Sequence, residues 1–276
     1  MYLGALQIGG LVAIGLAAGV LGGLLGVGGG ILMIPALTFI FADKYGPNSF
    51  HVYNLAAIST SFVLAIPAAI RHTRAGAVIY PFLRSIVPLA VIGVVAGVLL
   101  SATMTGERTR ILKQIFGGFL EFVVLVNLVQ EWIAKRGEPY LFPSSPMPRR
   151  WGLIGLLVGL PAGFIAGLLG VGGGIWAVPS QSLLLGIRVR NAIATSMVMI
   201  IPVALVAAVS MAFKLAQLPH DPPLQYAAWW LTLCLAPGAL LGGWCGASLM
   251  HRLPVRLVRY IFYALLSVTG LRLLFP

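Results

Sequence analysis

GLLGVGGG occupies Gly23–Gly30, and the same eight letters return at Gly167–Gly174. Each copy interrupts a long apolar run, and each is followed five residues later by a proline, Pro35 or Pro179. GVGGG does not hold a regular helix, since each glycine costs ~1 kcal/mol relative to alanine. In hydrocarbon, irregular backbone survives only against protein or water. The chain is therefore expected to break at both clusters and to restart as helix at Ile31 and Ile175. A restarting helix presents free N–H groups and a partial positive charge, which together suit an anion. The plain alternative is that the glycines only let helices pack closely. A phosphate loop is excluded because it needs G-x-x-x-x-G-K-[ST], and no lysine follows either cluster.

Composition gives the class. Hydrophobic residues make up 59% and charged residues 9%, against ~25% charged in soluble domains. Mean hydropathy is +1.00. Runs such as ILMIPALTFIF show none of the alternation of a β-barrel, so the fold expected is an all-α integral membrane protein. The opening MYLGALQIGG lacks the basic stretch of a cleaved leader, and the first helix is read as retained. Cys234 and Cys245 fall on one expected helix, ~16 Å apart along its axis, too far for a disulfide. The net charge of +12 is spread singly and in pairs between apolar runs. That pattern fits membrane lipid headgroups and the positive-inside rule rather than nucleic acid.

Apolar runs and breakers give about ten helical segments, near 5–25, 30–42, 52–72, 80–103, 109–134, 150–169, 174–186, 190–213, 225–250 and 255–275. They form a first repeat, 1–134, and a second, 151–276, joined by the proline-rich linker 135–150. Gly15–Gly30 and Gly159–Gly174 share 12 of 16 letters. TSFVLAIP (Thr60–Pro67) matches TSMVMIIP (Thr195–Pro202), Gly93/Gly97 matches Gly242/Gly246, and RILKQIF from Arg110 matches RLVRYIF from Arg256. Five segments per half favour an inverted second half, a common transporter plan with its site between the repeats. A re-entrant short segment in each half would make the repeats parallel instead. Basic residues number 12 on the linker side and 6 on the other, which places the linker in the cytoplasm.

The candidate substrate-binding groups are the backbone of Gly28, Gly29, Gly30, Gly172, Gly173 and Gly174 and the side chains of Ser59, Thr60, Ser61, Thr195, Ser196 and Gln181. Hydroxyls can donate to an anion without the desolvation cost of a charge, although they also bond back to their own helix. Asn54 and Asn191 are further donors, and Asn191 is equally a helix cap. Glu121 lies midway along an apolar helix, where a charge costs ~2.5–3.5 kcal/mol and tends to be functional. It is the proton-coupling candidate, or a salt-bridge partner for a basic residue, against a plain bundle hydrogen bond; its repeat mate is Ser267. Arg71, His72 and Arg74 read as flanking charges. Trp229 and Trp230 read as interfacial anchors. No metal-ligand spacing, cofactor motif or nucleophile–base pair is found, so no metal, cofactor or enzymatic activity is expected.

The duplicated G-x-x-x-G-x-x-G-x-G-G-G followed by proline resembles the sulfite exporter TauE/SafE family, as do the Thr-Ser pairs and RHTRAG (Arg71–Gly76). The resemblance covers nearly the whole chain. It implies a transporter of a small sulfur-containing anion (sulfite, a sulfonate or thiosulfate) in a bacterial inner membrane, working by alternating access. An anion channel and a non-transporting assembly subunit are the alternatives. The exact anion, the coupling ion, the direction of transport and homo-oligomer formation stay open. Trp176 and Gln181 stand where aliphatic residues are expected. Pro35 lies 26 residues before Ser61 but Pro179 only 17 before Ser196. The extra stretch contains DKYGPNSFHVYN (Asp43–Asn54), expected to be a polar loop or gate.

Overall fold

The computed structural model describes residues 4–42, 44–135, 151–218, 223–250 and 256–275. The linker, apart from Lys135, and His220 and His251 lie outside these. The described chain is all-α. Its first half holds α1 (Ala5–Leu25), α2 (Gly30–Phe41), α3 (Ser49–Arg74), α4 (Tyr80–Thr103) and α5 (Thr109–Lys135). In the second half, α6 runs as Trp151–Ile154 and Leu160–Leu169 around a π-helical turn, Gly155–Gly159. Then follow α7 (Gly174–Leu185), α8 (Val189–Ala216), α9 (Leu224–Met250) and α10 (Arg256–Leu274). Among the described residues seven helical segments are long and apolar enough to cross a membrane; α2 and α7, 12 residues each, and the Phe262–Leu274 part of α10 are shorter. The protein is a multi-pass membrane protein.

The glycine repeats explain how the helices pair. On α1, methyl groups added at Gly19 and Gly23 would each lie 2.6 Å from a carbonyl oxygen of α9, that of Ala239 and that of Gly243. A methyl added at Gly97 of α4 would lie 2.8 Å from the Leu168 nitrogen of α6. Gly93 packs against Leu160 and Phe164 in the same way, and Gly242 and Gly246 pack against α1. These glycines let backbones touch, the small-residue packing that replaces hydrophobic drive inside lipid. The pairing crosses between halves: α1 lies along α9, and α6 along α4.

Helix α3 starts three residues earlier than the apolar run indicates. The Ser49 hydroxyl accepts from the Tyr45 N–H at 2.9 Å and donates to the Gly46 carbonyl at 2.7 Å, closing a tight turn before the helix. SFHVYN (Ser49–Asn54) is therefore buried helix rather than loop. Only the part before Ser49 is a connection.

The direction of α3 against α8 follows from their end contacts. Near the start of α8, Asn191 Nδ2 donates to the Ala77 carbonyl and Thr195 Oγ1 accepts from the Ile79 N–H, just beyond the end of α3. Near its end, Lys214 reaches His51 in the first turn of α3. The two helices run antiparallel through the centre of the bundle. Helix α2 returns along the first half of α3: Gly30 bonds Ser61 near the α3 midpoint, and the Ala42 carbonyl accepts from Tyr53 Oη at 2.7 Å. The first break thus sits deep in the bundle.

Candidate functional site

Both glycine clusters break the helix. Helix α1 ends on Gly26 in the left-handed region (φ 74°), Gly28 follows at φ 80°, and α2 begins at Gly30. In the second copy Gly170, Gly172 and Gly173 have φ of 74°, 81° and 77° before α7 begins at Gly174. Side chains strain these backbone angles, which is why the letters are glycine.

The two breaks meet. A methyl added to Gly172 would lie 3.8 Å from Gly28 Cα, and one added to Gly28 would lie 3.0 Å from the Val171 carbonyl oxygen. Gly30 backs onto Gly170 and Val171, and Gly174 onto Gly26. All of Gly26–Gly30 and Gly170–Gly174 are buried. The starts of two helices, whose first N–H groups have no partner within their own helix, therefore converge on one buried spot.

Ser61 occupies that spot. Its Oγ accepts from the Gly29 and the Gly30 N–H groups, both at 3.1 Å, so it caps α2 from a different helix. Its own proton stays free to donate. The second break is not capped alike. Ser196 Oγ instead accepts from Gln181 Nε2 at 3.0 Å. The side chain against Gly172 and Gly174 is Ile200, one helical turn further along α8. The same one-turn offset recurs where Gly26 faces Ile193 and Gly170 faces Asn54. Matching TSFVLAIP to TSMVMIIP thus misplaces α8 by a turn relative to α3. Thr195 is drawn away from the break to the Ile79 N–H.

The other sequence candidates divide. Thr60 Oγ1 bonds back to the Ala56 carbonyl at 2.7 Å, the local role such residues often take. Buried polar atoms of Ser59, Asn54 (both amide atoms) and Gln181 (Oε1) make no hydrogen bond among the described residues. Asn54 abuts Gly170, at the edge of the second break. Asn191 does not cap α8; it ties α8 to the α3–α4 loop. Glu121 Oε2 accepts from the hydroxyl of Ser267, its own repeat mate, at 2.8 Å, and Oε1 makes no hydrogen bond among the described residues. Arg71 donates to Ser248 Oγ at 3.0 Å and lies over the Trp244 ring, while His72 is fully buried with Nε2 3.2 Å from the Gly23 carbonyl.

A small cleft of about 30 Å³ borders the breaks through Leu25, Val27 and Ile175. One of about 140 Å³ is walled by Phe119, Phe122, Trp176 and Ser180 between α5 and α7. Another, of about 300 Å³, lies toward the far end of α2, lined by Thr38, Phe39, Lys113 and Arg272. None of these includes the Gly28–Gly172 contact. One buried cluster, His51, Ser101 and Lys214, joins α3, α4 and α8 and has no signature in the sequence. Its members lie up to 163 residues apart and form no motif.

The chain belongs to the sulfite exporter TauE/SafE family, whose pattern matches residues 11–273. It is 28% identical to the probable membrane transporter protein MamO of Magnetospirillum gryphiswaldense over 96% of this chain. It spans only 44% of that protein's length. It is 26% identical to the probable membrane transporter protein YunE of Bacillus subtilis, covering 96% of both chains. A similarly named protein of Methanocaldococcus jannaschii is 25% identical over 96% of this chain and 94% of its own. No solved structure matches the fold.

Proposed function

We propose that this membrane transporter carries a small sulfur-containing anion, held where the α2 and α7 N-termini converge. The observation that carries the reading is the Ser61 oxygen, which accepts from the Gly29 and Gly30 N–H groups. An oxygen already fills the place an anion's oxygen would take. The anion displaces it, accepts from these groups and from the Gly173 and Gly174 N–H groups, and accepts a hydrogen bond from the displaced Ser61 hydroxyl. Asn54, buried against Gly170 with both amide atoms unbonded among the described residues, completes the polar lining. Ile200 gives the pocket an apolar wall, which suits a sulfur atom or an organic tail better than a fully hydrated oxyanion.

Alternating access comes from an inverted repeat. Two pairs of repeat mates touch, Gly28 with Gly172 and Glu121 with Ser267, and α3 runs antiparallel to its mate α8. A pseudo-two-fold axis in the membrane plane brings mates together in this way. One half rocks about that axis and exposes the site to each face in turn.

Helix ends contribute up to ~2 kcal/mol each to a bound anion. Two ends give about 4 kcal/mol, a Kd near 1 mM. Binding is therefore tested at about 30 mM anion with ionic strength held constant, where it stabilises the fold by about 2 kcal/mol. The panel is sulfite, thiosulfate, sulfate, sulfoacetate, taurine and an unrelated carboxylate. The expected result is a raised unfolding temperature with one sulfur anion, absent in folded Gly173→Val. A panel with no shift, or a shift that survives Gly173→Val, overturns the reading.

A further inference from the structure

Lys214 is buried at 9% exposure near the end of α8. Its Nζ lies 3.2 Å from His51 Nδ1 and 3.3 Å from Ser101 Oγ, and it also donates to the Ser101 carbonyl. His51 and Ser101 are fully buried. His51 Nε2 lies 2.9 Å from the Met104 carbonyl. A carbonyl only accepts, so Nε2 carries the imidazole proton and Nδ1 is a bare lone pair facing Lys214. The arrangement joins the halves: His51 and Ser101 belong to the first, Lys214 to the second. An ionisable group buried in a membrane bundle marks a functional position.

We propose that His51 Nδ1 and Lys214 form the site that binds the coupling proton, a role that rests on the anion-transport reading above. One proton enters from the face opposite the linker and adds to the Nδ1 lone pair. The imidazolium then carries N–H on both sides, and the hydrogen bond from Lys214 is lost. Two cations face each other, Lys214 withdraws, and the end of α8 separates from α3 and α4. Loss of the proton from Nδ1 restores the lone pair and the contact. The charged neighbours in the surrounding turns are Lys44 before α3 and Arg108 and Arg110 at the start of α5, all exposed; the Glu107 side chain is outside the described atoms. Tyr45, before α3, is the nearby phenol, and Thr109 Oγ1 donates to the same Met104 carbonyl at 3.3 Å. Asn48 holds the adjoining turn through the Gly106 N–H.

The test uses the full chain in proteoliposomes holding a pH dye, with outward gradients of thiosulfate and of sulfoacetate. Both are fully ionised at neutral pH and bring no proton of their own. Wild type is expected to move protons with the anion. Lys214→Met and His51→Gln are expected to lose at least ten-fold of that proton flux while keeping anion-for-anion counterflow. A merely structural contact would lower both together. Lys214→Arg, which keeps the charge and the donors, guards against misfolding and is expected to keep the contact and wild-type unfolding temperature. Proton flux that persists in Lys214→Met, or wild-type anion movement without protons, overturns the coupling site and leaves the anion reading standing. Wild type that neither binds nor exchanges either anion overturns the anion reading itself, and the coupling site with it.

Discussion

Gly28 and Gly172 are equivalent positions of a duplicated sequence, and they touch: a methyl on Gly172 would come within 3.8 Å of Gly28 Cα. A methyl at Gly172 would sit at ordinary van der Waals distance from Gly28, but methyls at Gly30 and Gly174 would run into the Gly170 and Gly26 carbonyl oxygens. Each cluster is therefore held to glycine by its own backbone angles and by the other cluster.

The breaks differ in tolerance. Gly29 has φ −84°, and an added methyl meets only the side-chain tips of Leu64 and Met33. Gly173 has φ 77°, and its methyl would lie 2.6 Å from the Ala162 carbonyl oxygen. Gly29→Ala is expected to stay within about 1 kcal/mol of wild type. Gly173→Ala is expected to lose more than about 2 kcal/mol, since a left-handed alanine alone costs about 1–2. Thermal unfolding in detergent, read by fluorescence, ranks them; equal midpoints would contradict the assigned backbone.

Ser61→Ala leaves two buried N–H groups without a partner, at about 1–3 kcal/mol. Its unfolding temperature falls, and the fall is partly reversed by the bound anion, which no longer displaces a hydroxyl. Thr60→Ala removes only a bond to its own helix and is expected to change stability by less than about 1 kcal/mol. A Thr60→Ala loss matching that of Ser61→Ala would place the cap elsewhere.

Gly97→Leu and Gly242→Leu drive a side chain into the backbone of α6 and of α1. Overpacking costs about 1–3 kcal/mol or more. Gly118, whose added methyl meets only Leu274 Cδ2 at 3.8 Å, serves as control, and Gly118→Ala should be near neutral. The fraction of Gly97→Leu and Gly242→Leu that remains folded keeps wild-type anion affinity. A selective loss of affinity would move these glycines from packing into the site.

Glu121→Gln keeps an oxygen to accept from Ser267 and removes the titratable proton. With coupling at His51 and Lys214, proton flux in Glu121→Gln liposomes stays within two-fold of wild type. Its abolition, with counterflow intact, would give the proton to Glu121.

Most helix spans are legible because the bilayer demands long apolar runs, and the glycine–proline pattern marks both breaks. The start of α3 is not, because Ser49, His51 and Asn54 look like a turn until Ser49 is seen closing one and burial is seen around them. The packing partners of Gly93/Gly97 and Gly242/Gly246 depend on which half they meet, which a repeat does not state. The position of Thr195 was obscured by the sequence match itself. The pairing of Lys214 with His51 leaves no local trace, since each sits in an ordinary helical turn.

Selenite is the heavier analogue of sulfite and scatters anomalously. The most direct measurement is an anomalous difference map from crystals of the protein grown with about 30 mM selenite, in the concentration range expected from a Kd near 1 mM. The account predicts one strong peak between the two breaks, its oxygens about 3 Å from the Gly29, Gly30, Gly173 and Gly174 nitrogens, with Ser61 Oγ displaced. A peak confined to the Lys113–Arg272 cleft, with Ser61 still bonded to Gly29 and Gly30, would contradict it.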